Sequence, residues 1–244
     1  MRVVAINGSP RGEASSSHEV VRIVQSMVLP GVQAQWQTVE HIQRLTEADL
    51  ELMSTADVLL IAFPLYIDGV PASTLGFLER YKAARMRAAC DHEAQRVFAV
   101  SNCGFYEGAQ NRWAVEIMAN YCVDLGLRWC GGVGIGTGEM IRGLAQVPLK
   151  ARVRRPVTAA LLRLAEAIQE AHGALDQDIY TQHALPWKIY QLLGQHGWRR
   201  QLRRNGLHSR EIGAQPLTPG CAEAYRASSL LKRDGSISSH VACE

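Results

Sequence analysis

A chain of 244 residues, 47% hydrophobic and 20% charged, has the composition of a globular protein that can bury a core. Its formal net charge of +3 is too small to mark a nucleic-acid or membrane protein by itself. Its six cysteines include no CxxC pair and its eight histidines no HExxH or HxH spacing, so zinc-ribbon, thioredoxin, iron–sulfur and other metal sites are not expected.

The first apolar run, "RVVAI" (2–6), reads as a short buried strand. Its "VVAI" is too short for a signal-peptide core, no run approaches the length needed to cross a bilayer, and the scattered cysteines suit reduced thiols. A cytoplasmic location is expected. "SSHEVVRIVQSMVLPG" follows with a helical stripe at Val20, Val21, Val24, Met27 and Val28. Ser16 and Glu19 have capping-box spacing, and Pro30-Gly31 ends the helix. A second strand is predicted over 32–40, a weak helix over 45–56, and the clearest buried strand, "DVLLIAF", over 57–63.

The next helix covers 71–85, with Pro71 suited to its first turn. "RVFAVS" (96–101) is a fourth strand, 110–126 a helix stopped by Gly126, 128–136 a glycine-rich fifth strand and 156–171 a fifth helix. Strand then helix, five times over, predicts a doubly wound parallel sheet with helices on both faces. Strands that are apolar without strict alternation fit burial on both sides.

After Gly173 the alternation is expected to stop. Residues 1–172 then form one domain and 173–244 a C-terminal extension. The extension carries one helix, 186–206, and a polar, poorly ordered final stretch. Residues 186–244 hold nine Lys or Arg and four Asp or Glu. The arginines at 199, 200, 203 and 204 form a basic face, with Trp187, Tyr190, Leu193 and Leu202 opposite. Docking on the domain or a partner subunit is the first reading of this helix, contact with an anionic membrane a lesser one, and solvated charge the third. Four arginines are thin grounds for nucleic acid, which is not expected as a partner.

In doubly wound sheets ligands bind beyond the carboxyl ends of the strands. Three loops there have unusual composition. After the first strand come Gly8, Ser9, Pro10, Arg11 and Ser15, Ser16 and Ser17, leading into a helix. A helix start offers unpaired N–H groups and partial positive charge to a phosphate, hydroxyls add donors, and Arg11 adds a full charge. GxGxxG and GxxxxGK[ST] patterns are absent. After the third strand, "FPLYIDGVPAS" places Pro64, Leu65, Tyr66 and Ile67 where an aromatic can cover a planar ring. After the fourth, "SNCGFYEGAQN" offers Asn102 as a donor, Gly104 for close backbone approach, and Phe105 and Tyr106 as lining. Cys103 has no positioned histidine to make it a nucleophile and reads as an inert thiol. No catalytic side chain is assigned.

"INGSPRGEASSS", "FPLYIDGVPASTLGFLER" and "SNCGFYEGAQN", in order after strands one, three and four, resemble the NADPH-dependent FMN reductase family of the flavodoxin-like superfamily, over roughly residues 1–172. The resemblance implies a flavodoxin-like α/β fold, a five-stranded parallel sheet in the order 2-1-3-4-5, with a helical C-terminal extension. It implies tightly bound FMN, with NADPH or NADH as electron donor and a quinone, flavin or similar small molecule as acceptor. It also implies a homodimer. Ser9, Arg11 and Ser15 to Ser17 match the family's phosphate loop, Pro64 to Ile67 the segment flanking the isoalloxazine, and Asn102 to Tyr106 the loop along the ring's polar edge. Residues 40–56 contain no cysteine, unlike relatives with a CxxCxxC cluster there. Two other readings are an electron carrier like a flavodoxin, which is usually strongly acidic, and a flavin-free module keeping the fold.

Overall fold

The computed structural model describes residues 1–88 and 95–208. The polar final stretch expected to be poorly ordered lies outside the described residues. Six strands form one parallel sheet in the order β2-β1-β3-β4-β5-β6. They are β1 Arg2–Asn7, β2 Gln35–Val39, β3 Val58–Pro64, β4 Arg96–Asn102, β5 Arg128–Ile135 and β6 Ile179–Thr181. The helices are α1 Ser16–Val28, α2 Glu47–Ser54, α3 Ala72–Ala88, α4 Arg112–Asp124, α5 Glu139–Gly143, α6 Arg155–Gln169 and α7 Trp187–Arg204. This is a flavodoxin-like fold, and the five predicted strands stand in the predicted order. The sixth was not expected: the sheet continues at 179–181, beyond the point where the alternation was read as ending.

The strands are apolar on both faces because both are covered. Val3 and Ala5 of β1, Leu60 of β3 and Val100 of β4 pack with α1 and α6 in one buried cluster. Their neighbours Val4, Ile6, Leu59, Ile61 and Ala99 pack with α2, α3 and α4 in another. A fully buried Leu or Ile contributes about 1.5–3 kcal/mol, so β1 and β3 anchor both layers at once.

Local chemistry sets the element ends. Ser15, not Ser16, caps α1, its side chain accepting from the His18 N–H, and Glu19 pairs with Arg22 instead of closing a capping box. The capping box occurs at α2, between Thr46 and Asp49. In β5 the register shifts opposite Val97/Ala99, and Gly131 there has φ +112. A side chain at Gly131 would also meet Leu175 at 2.8 Å, so glycine permits both the bulge and the close packing.

A first compact unit runs from Met1 to Tyr190; the residues described beyond it are 191–208. The division falls inside α7, whose C-terminal end is marked by Gly206 at φ +74. At about 100° per residue, Leu193 lies on the arginine side of α7, not with Trp187, Tyr190 and Leu202 as expected. Among the described residues no helix is long and apolar enough to cross a membrane.

Candidate functional site

Because the sheet is parallel, β1, β3, β4 and β5 all deliver their last residues to one end, with Pro64, Asn102 and Ile135 in register. A small cleft opens there. It is lined by Ser9, Arg11, Ser15, Ser16 and Ser17 from the first loop, Pro64, Leu65 and Tyr66 from the second, and Asn102, Cys103 and Gly104 from the third. Residues nearly a hundred positions apart in sequence therefore meet as expected. Ile67, Phe105 and Tyr106 do not line it. Ile67 is fully exposed and Phe105 half exposed, while the Tyr106 hydroxyl donates to Leu185 O at 2.7 Å.

The first loop is held rigidly. Asn7 is fully buried and directs it: Nδ2 donates to Gly12 O (2.9 Å) and to Glu40 Oε2 (2.8 Å), and Oδ1 accepts from the Ser9 N–H. Gly12 takes φ +55 against His41, a turn that a side chain would strain. Glu40 also holds His18 Nδ1 at 2.9 Å, so this histidine is turned to a carboxylate.

The hydroxyls are not equivalent. Ser15 Oγ donates to Gly12 O (2.6 Å), and Ser16 Oγ donates to Gly138 O (2.9 Å). Their protons are spent inside the protein. Ser9 Oγ accepts from the Arg11 N–H and Ser17 Oγ accepts from Asn102 Nδ2; among the described residues neither donates, so each keeps an O–H for a ligand. The N–H groups of Ser16 and Ser17, in the first turn of α1, have no carbonyl one turn earlier in the helix. These four donors, with the exposed Arg11 guanidinium, make an anion-accepting corner.

In the third loop Asn102 is nearly fully buried and spends both side-chain N–H bonds, on Ser17 Oγ and Phe63 O, each 3.0 Å away. It joins the ends of β3, β4 and α1 instead of offering donors to the cleft. Cys103 is buried, accepts from Asn111 Nδ2, and burial pushes its thiol pKa up, as suits an inert thiol. Nothing lies within 4 Å of the point where a Gly104 side chain would begin.

Three contributors were missed. Gly138, in the loop after β5, and Glu139, the first residue of α5, form a further wall of the cleft. The rule that found the other loops would have found this one, since "GTGE" (136–139) also follows a strand. Tyr190, on the first turn of α7, donates its hydroxyl to Gly104 O at 2.6 Å and lies against the Tyr106 ring, centroids 5.9 Å apart. No local pattern signalled that contact across 86 residues.

A wider groove of about 620 Å³ opens at the amino end of the sheet, beside Arg96. The Arg96 guanidinium is committed to the carbonyls of Ala167, Ile168, Glu170 and Gly173, so it closes the end of α6. No group of three or more metal-ligating side chains occurs among the described residues.

The topology and the cleft define a flavodoxin-like α/β protein with an anion-accepting corner at the start of α1. No protein-family model and no curated protein matches the chain. Several solved structures are similar to it. One is an NADH:FMN oxidoreductase in its apo form, 15% identical over 63% of this chain and 93% of that one, TM-score 0.46. Another is an NADPH-quinone reductase from P. pentosaceus, 12% identical over 68% and 98%, TM-score 0.49. A third is the Trp repressor binding protein from Bacillus subtilis, 15% identical over 66% and 96%, TM-score 0.44.

Proposed function

We propose that this protein is an FMN-dependent oxidoreductase that takes hydride from NADPH or NADH and passes the electrons to a quinone, a flavin or a similar small acceptor. The observation that carries this reading is the convergence of the three loops on one cleft whose spare donors are those a phosphate monoester needs. The cleft is small, about 70 Å³, and open to solvent on one side; the phosphate would take the corner at the start of α1 and the ring the open side, beside Tyr66 and the unobstructed Gly104.

Ser9, Ser17, the first two N–H groups of α1 and Arg11 would hold the phosphate, and Tyr66 and Gly104 would flank the ring. Bound there, the flavin supplies the redox chemistry, accepting hydride and giving it up. The chain positions and shields. Asn102 fixes the distance between phosphate corner and ring site by tying α1 to β3 and β4. Tyr190 fixes the Gly104 carbonyl and with it the peptide that borders the ring. No side chain need act as acid or base.

The homodimer and the cytoplasmic location belong to the same proposal. Exposed Tyr66, Ile67 and Phe105 leave apolar surface that a ring and a second subunit would cover. Cys103, Cys122 and Cys130 are buried free thiols, as a reducing compartment keeps them.

The deciding experiment is the visible spectrum of the purified protein after FMN addition, with the released cofactor identified by mass, followed by steady-state NADPH and NADH oxidation with a quinone. A flavin spectrum and turnover without any partner reductase are expected. A colourless protein that takes up no FMN would overturn the proposal; FMN without turnover would leave an electron carrier.

A further inference from the structure

Helix α7 has no buried residue, and it contains Gly194 and Gly197, the poorest helix former after proline. A helix of 18 residues that buries nothing lacks the packing from which most helical stability comes. Something must cover it, and the composition says what kind of surface. From Trp187 to His208 there is no Asp or Glu, against Lys188, Arg199, Arg200, Arg203 and Arg204. None of these five cations is in an ion pair with a described residue.

At about 100° per residue the four arginines fall on one arc of the helix together with Ile189, Leu192 and Leu193. Ile189, Leu192 and Leu193 are each about half exposed or more. Apolar side chains and arginines on a single arc are what an anionic lipid surface accepts: the aliphatic groups enter the acyl boundary while the guanidinium groups remain at the phosphates. A nucleic-acid backbone would use the arginines but would leave Ile189, Leu192 and Leu193 exposed to water.

We propose that α7 is a docking surface for a membrane rich in anionic phospholipid, holding the protein at that surface without crossing it. The proposal does not depend on what occupies the cleft at the sheet's carboxyl end.

The test is flotation of the full-length protein with vesicles of phosphatidylcholine alone and of phosphatidylcholine with about one third phosphatidylglycerol. Binding to the second only, weakening as salt rises, is expected. Replacing the four arginines together (R199Q, R200Q, R203Q, R204Q) should weaken it about tenfold or more. The matching four Arg→Lys changes should largely keep it, since the charge is kept. Leu192→Ser with Leu193→Ser should weaken it with the charge intact. Far-UV circular dichroism and thermal unfolding check that the variants are folded. Equal binding to both vesicle types, no binding to either, or binding that the Arg→Gln changes leave unaltered would overturn the proposal. So would tighter retention by duplex DNA or RNA than by the anionic vesicles.

Discussion

Arg11 and Ser9 do different work in the same loop. Ser9 is nearly buried and its oxygen already accepts from the Arg11 N–H, so its proton is free to be given to a ligand. Arg11 is exposed and contributes charge with less geometric precision. Replacing both with alanine should raise the FMN dissociation constant by about tenfold to a hundredfold, as expected for losing one charged and one neutral hydrogen bond. Fluorescence titration of the apoprotein measures it; unchanged affinity would place the phosphate in another loop. His183 makes a separate prediction. It is nearly fully buried, and its backbone N–H and Nδ1 both lie within hydrogen-bond distance of Thr137 Oγ1, which donates to Gly136 O. Burial first, and Arg154 second, push its pKa down from 6.5 to about 4. The unfolded chain therefore binds a proton between about pH 6.5 and 4 that the folded chain refuses. Stability is whole above that window and declines through it as pH falls, by roughly 3 kcal/mol. Urea midpoints measured from pH 7 to 4 should show the decline, and it should be shallower in His183→Gln.

At the scale of elements, the turn after β3 stands out. Tyr66 and Gly69 exchange two backbone hydrogen bonds of 3.0 Å, and the two residues between them, Ile67 and Asp68, have φ +49 and +56. Such a turn is normally Asn-Gly, because a β-branched residue at positive φ costs about 1–2 kcal/mol. Ile67 touches little, being fully exposed, so the structure gives it no compensating contact. Ile67→Asn should raise stability by about 1 kcal/mol and, if Ile67 covers the ring, weaken flavin binding. Thermal unfolding and the titration above would separate the two effects, and a loss of stability would refute the strain reading. The same comparison shows what the sequence made legible. The buried strands could be read because two covered faces leave unbroken apolar runs, and three of the loops because their serines, glycines and aromatics follow those runs. The edge strand β6 is only "IYT", too short for any period, and β5 supplies its pairing. Ser15 outcompetes Ser16 as cap by one position, a choice made by the turn at Gly12. The Tyr190–Gly104 bond joins elements that no local pattern relates.

For the whole molecule, the question is how much chain the sheet and its cleft require. Among the described residues none beyond His183 is buried. Both apolar clusters end by Ile179, and the last side chain tied to the cleft's loops is Tyr190. A chain ending at Tyr190, the limit of the first compact unit, thus keeps every buried residue among those described, and Tyr190 itself. Of the described residues it loses only 191–208, none of them buried. Such a chain should unfold in one cooperative transition, its midpoint within about 3 °C of the full protein, since 1 kcal/mol moves a domain of this size by about 2–4 °C. Flavin uptake should persist while vesicle binding disappears, because the four arginines go with the removed segment. Calorimetry and titration on the shortened chain decide it. A lost transition would mean that residues after 190 complete the core. A lost cofactor with folding intact would mean that they complete the site.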